Sequence, residues 1–470
     1  MMIDTLAADR VSQLLSRLDV PGPRYNSYPT ADRFVDTFDA ASYRRALQQR
    51  AGDTVVGVAA PLSIYVHIPF CESICSHCGR NKVVTHQHER AAEYLPALQR
   101  EIDLHVAVLG CGPPLTQLHL GGGSPTFLGD KELEQLVVAL RLAFHIAPDA
   151  EVSIKVDPHA HASRLRHLAA LGFNRLSFSV EDFDPEVQKA VNCEQSYEAV
   201  ETLMRVARET GFESIHADLV YGLPRQTPVT FSHTIAQIGA LRPDRIALHA
   251  YAPLPQRFKP QRRISAHELP AAGERVHMLR AAISGLQGLG YTHIGMDCFA
   301  LPGDPLEVAK REGRLHRNFQ GYSTQADGDL IGLGVSAIGK IGRCYNQNDK
   351  TLSSYYDAIG QSRFATVRGL ELSDDDLLRR EMIMALMCQG RVDFDAIERA
   401  YPVRVHECFA SEMERLRTLQ AEGLVDLEPS GIQVTPLGWY FVRAIVMVFD
   451  SHLAPEARRD PARQGYPRVV

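Results

Sequence analysis

Strand-like apolar runs alternate with segments of helical length and periodicity between residues 62 and 251, and this alternation constrains the fold most strongly. The predicted strands are 62–67, 116–120, 151–156, 174–180, 215–220 and 246–251, and helices are predicted at 91–106, 131–144, 197–210 and 230–241. Such a succession of βα units is typical of a parallel sheet. We expect an α/β fold, a partial (β/α)6 barrel with its chemistry at the carboxyl ends of the strands.

Three cysteines follow the first predicted strand directly, with the spacing C-x3-C-x2-C: Cys71, Cys75 and Cys78. Three thiolates can bind three irons of a cubane cluster and leave the fourth iron open to a chelating cofactor or substrate. Incidental buried thiols and a zinc knuckle are the alternatives. Zinc sites usually show paired C-x2-C units or a later H-x3-H partner, and neither follows Cys78 at the expected distance. The spacing therefore predicts a 4Fe-4S cluster that takes part in chemistry.

Polar and glycine residues follow the next strands at the same edge of the predicted sheet. They are the run Gly121–Thr126 after the second strand, Lys155 and Asp157 at the end of the third, Glu181 and Asp182 after the fourth, and Asp218 near the end of the fifth. We expect them to lie close to the cysteine loop at the open end of the barrel formed by the carboxyl ends of the strands, which is called the mouth below. The glycine run either brings a ligand close to backbone N–H groups or forms a tight turn. His67 and His119 are candidates to face the barrel interior.

Composition excludes several classes of protein. Nine cysteines in 470 residues with no pairing pattern do not describe a disulfide framework, and they favour a cytoplasmic protein. Residues 1–30 contain no apolar core of signal-peptide length, and no apolar run reaches the roughly 18 residues of a membrane span. The formal charge of -6 is no electrostatic footprint for nucleic acid. A small-molecule substrate is expected.

Longer motifs carry a resemblance to a known family. They are Tyr65-Val-His-Ile-Pro-Phe-Cys71, Cys78-Gly-Arg-Asn-Lys82, Gly121-Gly-Gly-Ser-Pro-Thr126, Asp218-Leu-Val-Tyr-Gly-Leu-Pro-Arg-Gln-Thr227 and His316-Arg-Asn-Phe-Gln-Gly-Tyr322. Together they resemble the oxygen-independent coproporphyrinogen III oxidases, radical S-adenosylmethionine (SAM) enzymes of haem biosynthesis. The resemblance extends from Gly22–Thr30, which is similar to the family's substrate-covering segment, to Gly431–Thr435 and Phe449-Asp450.

The resemblance implies an oxidoreductase in which Cys71, Cys75 and Cys78 hold the cluster and one or two SAM molecules bind. A 5'-deoxyadenosyl radical would then initiate oxidative decarboxylation of two propionates of coproporphyrinogen III to vinyl groups, giving protoporphyrinogen IX. The family further implies a tetrapyrrole substrate, an electron donor such as a flavodoxin or ferredoxin, and a monomer that binds neither nucleic acid nor a membrane.

Individual positions can be carried over from the family by motif. Those matching its SAM contacts are Tyr65, the backbone at His77, Gly122, Gly123, Ser124, Glu181, Asp218, Ala252 and Ile338. Arg24, Tyr25 and Tyr28 are candidates to contact the substrate propionates, since arginine binds carboxylates bidentately. No residue is assigned as catalytic.

Four positions near the SAM region depart from the family pattern. Arg80 stands in place of a fourth cysteine, Lys155 in place of a glutamate, Glu181 in place of a glutamine and Cys193 in place of an arginine. One hypothesis is compensation, in which Arg80 supplies the missing cation and Glu181 pairs with Lys155. The alternatives are a paralogue that binds or delivers haem, and a radical SAM enzyme acting on another tetrapyrrole. Cys298, in place of a histidine, is interpreted as a single buried thiol.

The last hundred residues are interpreted as a separate unit. Helices at 374–387, 394–400 and 405–421, a hairpin at 423–434 and a last helix from Leu437 predict a winged-helix-like domain. Residues 371–450 contain 15 acidic residues against 8 arginines and no lysine, so we expect a packing or lid domain. The expected division is 1–54 N-terminal segment, 55–300 barrel, 301–365 extension and linker, and 366–470 C-terminal domain.

Overall fold

The structure, a computed structural model, describes residues 13–14, 17–18, 20–55, 57, 60–157, 159–325 and 328–453. The outer ends of the predicted segments 1–54 and 366–470 therefore lie outside the described residues. Within the described part, no helix is long and apolar enough to cross a membrane.

Nineteen strands are described. They are β1 (Leu62–Ile68), β2 (Phe70–Cys71), β3 (Val83–Val84), β4 (Pro114–Gly122), β5 (His145–Val156), β6 (Arg175–Glu181), β7 (Ser214–Tyr221), β8 (Arg245–Ala250), β9 (Thr292–Gly295), β10 (Cys298–Ala300), β11 (His316–Asn318), β12 (Gly321–Ser323), β13 (Asp329–Leu333), β14 (Ile338–Ile341), β15 (Cys344–Asn348), β16 (Thr366–Glu371), β17 (Arg391–Asp393), β18 (Val425–Glu428) and β19 (Gly431–Val434).

The described α-helices connect these strands. They are α1 (Ala40–Val55), α2 (Glu89–Leu109), α3 (Asp130–Ala143), α4 (Ala162–Ala170), α5 (Pro185–Val191), α6 (Tyr197–Glu209), α7 (Pro228–Leu241), α8 (Ala272–Gly288), α9 (Pro305–Arg311), α10 (Leu352–Gly360), α11 (Asp374–Gln389), α12 (Phe394–Ala400), α13 (Val405–Cys408), α14 (Ala410–Ala421) and α15 (Val442–Val446). Short 3-10 helices lie at Ala31–Arg33, Pro125–Phe127, Lys259–Arg263, Ala266–Glu268, Gly438–Phe441 and Met447–Phe449.

A twelve-stranded sheet organises the fold, in the order β16-β15-β14-β13-β1-β4-β5-β6-β7-β8-β10-β9. The six predicted strands, now β1 and β4–β8, pair in parallel in chain order, which confirms the predicted α/β barrel core. β13 adds a seventh parallel strand on the other side of β1, whereas β14–β16 and β9–β10 extend the two edges in antiparallel fashion. β1 is buried along nearly its whole length, as expected for a parallel strand covered on both faces.

The helices that connect the barrel strands bury apolar residues in the same core as this sheet. In α2, Ala91, Tyr94, Leu98 and Ile102 are buried, and their spacing of three or four residues places them on one side of the helix. Ser196 caps the start of α6: its hydroxyl accepts a hydrogen bond from the Ala199 N–H, which would otherwise have no partner in the first turn.

Glu101 of α2 lies on the same buried side and ties the helix to the sheet extension. Its carboxylate accepts hydrogen bonds from the Gly334 N–H (2.6 Å), the Asn348 side-chain amide (2.7 Å) and the Tyr355 hydroxyl (2.8 Å). Burial raises the pKa of Glu101 to about 7, although the three donors act in the opposite direction. The folded protein therefore binds a proton at Glu101 more tightly than the unfolded chain, in which a glutamate carboxyl has its ordinary pKa of 4.5.

This shift predicts a pH-dependent stability. The stabilisation from protonated Glu101 is complete below about pH 4.5 and is lost as the pH rises through about 7, a change on the order of 3 kcal/mol. Urea unfolding at pH 5 and pH 8 measures it. The Glu101→Gln variant, which cannot titrate, should show a smaller fall in the free energy of unfolding between these pH values. Equal falls in both proteins would show that Glu101 does not titrate in this range.

The C-terminal unit has its own apolar core and a small sheet in the order β17-β19-β18. The predicted helices and hairpin are present, with the third helix divided at Phe409 into α13 and α14 and an additional strand, β17, before α12. β16 pairs with β15 of the large sheet, so the residues 366–371 join the two units. We keep the four-part division of the chain as a proposal.

Candidate active site

The cysteine loop lies at the carboxyl end of β1. β2 ends at Cys71 and pairs with β3, and backbone hydrogen bonds from Val83 to Pro69 and from Thr85 to Cys71 close the base of the loop. Cys75 and Cys78 lie between these two short strands. The cysteine loop is therefore closed at its base, and it lies at the edge of the sheet where the sequence predicted the reactive site.

Side chains and backbone from two later loops fasten the cysteine loop. The Ser76 N–H donates to the Val191 carbonyl (2.8 Å), and the Asn192 side-chain amide donates to the Ile74 carbonyl (2.9 Å). The buried Gln261 amide donates to the carbonyls of both His77 (3.0 Å) and Ala252 (3.2 Å). Gln261 was missed by sequence reasoning, because one glutamine in a polar stretch carries no pattern; it links the loop to the residues after β8.

The three thiols share one partly buried environment, and their charges act on one another. Burial raises the pKa of Cys71 to about 11, the positive charge of Lys82 lowers it, and the thiolates of Cys78 and Cys75 raise it further. The hydrogen bond with Cys193 lowers the pKa of Cys75.

Among the described residues, no three His, Cys, Asp or Glu side chains converge as ligands of a single metal ion. The charges of Cys75 and Cys78 act on the Cys71 thiol, so the three thiols lie near one another on one loop, as the three protein ligands of one cubane cluster must.

The glycine run allows β1 and β4 to end close together. A Cβ atom on Gly122, whose φ is 105°, would lie 2.7 Å from the His67 ring, and one on Gly123 would lie 2.5 Å from the Phe70 carbonyl oxygen. The N–H groups of Gly123 and Ser124 donate to the carbonyls of Ile68 and Phe70. These N–H groups therefore hold the cysteine loop, and a cofactor must contact other atoms of the run.

A largely buried ion pair spans the strand ends across β6. Lys155 Nζ lies 3.4 Å from Asp218 Oδ2, and Nε2 of His216 and of His249 lie 3.3 and 3.8 Å from Asp218 Oδ1. Burial alone would raise the pKa of Asp218, but the positive charge of Lys155 and the contacts with His216 and His249 hold it well below the usual value. The predicted pairing of Glu181 with Lys155 is wrong, because Asp218, which faces Lys155 from β7, takes that place.

Glu181 instead pairs with the cysteine loop. Its Oε1 lies 3.4 Å from His77 Nε2. Burial lowers the pKa of His77, but the charge and hydrogen bond of Glu181, together with the charges of the Cys75 and Cys78 thiolates, outweigh this and raise the pKa overall. Glu181 adopts a φ of 62°, which a non-glycine residue holds only where the surroundings enforce it. The end of β6 is thus shaped to present this carboxylate to the loop.

Arg80 adds positive charge beside the thiols. The side chain is exposed at the surface, and partial loss of solvent around the guanidinium lowers its pKa, but the negative charges of Asp218, Cys78 and Glu181 outweigh this and raise it. The charge of Arg80 also helps to lower the pKa of His119 to about 4, after the larger effect of burial. The charge of Arg80 therefore acts on the same group of side chains as Asp218 and Glu181.

The N-terminal segment reaches the mouth through Arg24. Its guanidinium pairs with Asp297 and lies 3.0 Å from His249 Nδ1. Because His249 also contacts Asp218, a continuous set of charged groups runs from Lys155 to Arg24. Asp297 and His249 were not singled out in the sequence, since neither belongs to a spaced motif.

Tyr25 and Tyr28 do not face the mouth. Both are fully buried, and their hydroxyl groups contact Asp450 (2.9 Å) and Ser451 (3.0 Å) of the C-terminal unit. The expectation that they contact propionates is therefore wrong. They anchor the N-terminal segment, which leaves Arg24 exposed enough to meet a ligand.

The remaining predicted positions are divided between the site and the core. His67 and His119 face the interior, where Tyr65 binds His67 Nδ1 (3.0 Å) and stacks on the His119 ring. Ile338 lies on β14, two strands from β1, in a small apolar group.

The two aspartates predicted at the strand ends have different surroundings. Asp182 is buried, and its carboxylate accepts hydrogen bonds from Gln226 and Thr234, so it is structural. The Asp157 carboxylate accepts a hydrogen bond from the Ser124 hydroxyl (3.3 Å). Cys298 is a buried thiol, as expected.

Known proteins match this chain over nearly its whole length. Family models match residues 65–238, described as the Radical SAM superfamily, and residues 372–441, described as the HemN C-terminal domain. An oxygen-independent coproporphyrinogen III oxidase of Salmonella typhimurium is 45% identical over 97% of this chain and 98% of its own length. A protein of that name from Pseudomonas aeruginosa is 42% identical, and the match covers all of both chains.

A solved structure agrees with these sequence relatives. Coproporphyrinogen III oxidase from Escherichia coli, described as a radical SAM enzyme, superposes with a TM-score of 0.88 at 44% identity, covering 93% of this chain and all of the solved one. With similarity at this level through the barrel, the cysteine loop and the C-terminal unit, the chain belongs to the oxygen-independent coproporphyrinogen III oxidase family.

Proposed function

We propose that this protein converts coproporphyrinogen III to protoporphyrinogen IX without oxygen, by oxidative decarboxylation of two propionates to vinyl groups in haem biosynthesis. The observation that carries the proposal is the loop of three neighbouring thiols at the carboxyl end of β1, in a chain similar over its whole length to oxidases of this name. The enzyme is an oxidoreductase that uses a 4Fe-4S cluster and SAM.

Cys71, Cys75 and Cys78 are proposed as the cluster ligands. The proposed SAM contacts are Tyr65, His77, Gly122, Gly123, Ser124, Glu181, Asp218, Ala252 and Ile338. When bound, the cluster and SAM supply one-electron cleavage of the SAM sulfonium and, with it, removal of a hydrogen atom from the substrate. The chain's own residues bind, orient and shield these groups.

The charged residues at the mouth suit the zwitterionic methionine end of SAM. Lys155 and Arg80 supply positive charge and Glu181 and Asp218 supply negative charge, and the charges of these groups act on one another. Opposite charges can therefore meet both the carboxylate and the ammonium of an amino acid without the family's own glutamate and arginine. The rings of Tyr65 and His119 are partly buried and stack on one another, and we propose that they shield the bound groups from water.

Arg24 is proposed to bind a propionate of the substrate. Replacing it by glutamine keeps a hydrogen-bond donor but removes the charge, so KM for coproporphyrinogen III should rise by about 10-fold while kcat changes little. Steady-state anaerobic kinetics measure both. The Arg33→Gln variant is the control, because Arg33 pairs with its neighbour Asp32. An unchanged KM in Arg24→Gln would remove Arg24 from the substrate site.

We further propose a cytoplasmic monomer that receives electrons from a flavodoxin or ferredoxin and binds neither nucleic acid nor a membrane. All nine cysteines lie in the described part of the chain and none is disulfide-bonded there, which supports a reducing compartment. The acidic excess of residues 371–450 supports a packing role for the C-terminal unit instead of phosphate binding.

Anaerobic turnover tests the proposed function. The cluster is reconstituted, and the reduced protein is incubated with SAM and coproporphyrinogen III while 5'-deoxyadenosine and protoporphyrinogen are followed by mass-resolved chromatography. The proposal predicts both products. Deoxyadenosine alone would indicate another tetrapyrrole substrate, and neither product from a cluster-loaded protein, together with a haem absorbance band on titration, would indicate a haem-handling protein.

A further inference from the structure

Two cysteines far apart in sequence meet at the edge of the proposed cluster site. The Sγ atoms of Cys75 and Cys193 lie 3.2 Å apart, although 118 residues separate them in the chain. Both side chains are partly accessible. Cys193 is not one of the three cysteines of the motif, and the proposed mechanism does not use it.

The surrounding backbone holds the two thiols in this position. Hydrogen bonds fasten the residues on both sides of Cys75 to the residues just before Cys193: Ser76 N–H to the Val191 carbonyl, and the Asn192 amide to the Ile74 carbonyl. The loop that carries Cys75 and the loop that carries Cys193 are therefore joined on both sides of Cys75. Only a small movement of the two side chains is needed for their sulfur atoms to form a disulfide bond.

The loop that carries Cys193 is itself fixed. The Cys193 N–H donates to the Gln188 carbonyl (3.0 Å), and the Gln188 amide donates to the carbonyls of Asp182 (2.8 Å) and Gln195 (2.9 Å). The Gln195 amide in turn donates to the Val180 carbonyl at the end of β6 (2.6 Å). Gln188 and Gln195 are both buried. The contact between the thiols is therefore built into the fold rather than made by one free loop.

We propose that Cys75 and Cys193 form a reversible disulfide in the cluster-free protein. With hydrogen peroxide as the oxidant, one thiol attacks a peroxide oxygen, the O–O bond breaks, and a sulfenic acid and one water form. The second thiol then attacks the sulfenic sulfur, which forms the S–S bond and releases a second water. Two thiols are oxidised by two electrons in all, and one peroxide is reduced to two waters. A small dithiol reverses the reaction by exchange and is itself oxidised to a cyclic disulfide.

The disulfide and the cluster exclude each other. This consequence rests on the proposed function, because it takes Cys75 as a cluster ligand. A sulfur bonded to Cys193 has no thiolate to give to iron, so the oxidised protein keeps only two of the three ligands. The disulfide would also protect Cys75 from irreversible oxidation to sulfinic or sulfonic acid while the cluster is absent. Cys193 thus acts as a resolving thiol, which preserves the site until reductant returns.

Peptide mapping of the full-length, cluster-free protein tests the disulfide. The protein is treated with hydrogen peroxide, free thiols are alkylated, and a tryptic digest is analysed without reduction. Trypsin leaves Cys71, Cys75 and Cys78 on the peptide 51–80 and Cys193 on the peptide 190–205. The expected product is these two peptides joined, with the mass of two hydrogens lost, and it should disappear on treatment with dithiothreitol.

Serine variants identify the cysteines that form the bond. The linked peptide should persist in Cys71→Ser and Cys78→Ser and be lost in Cys75→Ser and Cys193→Ser. Circular dichroism of each variant verifies that it is folded. No linked peptide in the wild-type protein, or a link that persists in folded Cys75→Ser, would overturn the proposal.

A second readout tests the protective role. After the same peroxide treatment and then dithiothreitol, the wild-type protein should regain its iron content on reconstitution, whereas Cys193→Ser should regain much less. Equal recovery in both proteins would contradict the role of Cys193 as a resolving thiol. The peptide link depends on neither SAM nor substrate, so a protein that forms the link but takes up no cluster would refute the proposed ligand set and leave the disulfide standing.

Discussion

Replacing Cys71 by serine is expected to leave a folded protein with little bound iron and no measurable protoporphyrinogen formation. Cys71 ends β2 at the base of the loop, and its thiol is one of only three proposed ligands. A serine hydroxyl is a harder and far more weakly acidic donor, so it does not replace a thiolate on iron. Mutation of residues that only hydrogen-bond to metal ligands typically lowers metal affinity or activity by about 10- to 100-fold. Loss of a ligand itself should therefore lower activity by more than about 100-fold. Iron analysis, the visible absorbance of the cluster and anaerobic turnover measure the effect.

Cys344→Ser is the matched control, because Cys344 is also a partly buried thiol but lies on β15, away from the loop. It should keep the iron content and the activity of the original protein. If Cys71→Ser retained a full cluster and turned over substrate, the loop would not be the cluster site.

Replacing Asp218 by asparagine is expected to destabilise the protein by about 3 kcal/mol and to weaken SAM binding. Asp218 is the negative partner of Lys155, His216 and His249, and both Asp218 and Lys155 are only 14% exposed. Removing one member of a buried ion pair leaves the other charge uncompensated, which typically costs about 3–5 kcal/mol. Urea unfolding measures the loss of stability, and equilibrium dialysis of the cluster-loaded protein measures SAM affinity.

A double variant tests whether the loss of stability comes from the unpaired charge of Lys155 or from general damage to the fold. Asp218→Asn combined with Lys155→Met removes both charges of the pair, so it should be more stable than Asp218→Asn alone. Asp357→Asn, at an exposed position of α10, should match the original protein. A variant Asp218→Asn as stable as the original protein would show that the ion pair across β6 does not support the strand ends.

The barrel core could be predicted from sequence because parallel strands covered on both faces are nearly continuous apolar runs. β1, β4 and β6–β8 end within two residues of their predicted ends, whereas β5 begins at His145, six residues before the predicted start at residue 151. The edge strands were not predicted: β14 and β15 are short and contain glycine, lysine and asparagine. Their place in the sheet depends on pairing with β13, which no local pattern reveals.

Only those parts of the site whose residues are close together in the sequence could be predicted. The three thiols lie on one short loop, so their proximity follows from the chain itself. The partner of Lys155 could not be deduced in this way, because β5 and β7 bring Lys155 and Asp218 together across β6. The prediction for Tyr25 and Tyr28 was wrong because no local pattern showed that they are buried. A tyrosine hydroxyl could bind a propionate, but these two hydroxyl groups contact Asp450 and Ser451 instead.

The glycine run shows how one pattern supports two functions. A run of three glycines after a strand favours the close approach of a ligand, yet here the N–H groups of Gly123 and of the following Ser124 hold the cysteine loop. Only the hydrogen-bond partners decide between the two, and they are residues of β2 and the end of β1. The run therefore serves the site by positioning the thiols.

Deuterium transfer tests the central claim most directly, namely that this altered pocket still brings SAM and coproporphyrinogen III together for reaction. Coproporphyrinogen III deuterated at the propionate β-carbons is incubated anaerobically with the reduced, cluster-loaded protein and SAM, and the masses of both products are measured. We predict one deuterium in the 5'-deoxyadenosine and one fewer at each new vinyl group. Unlabelled 5'-deoxyadenosine without protoporphyrinogen would contradict the account.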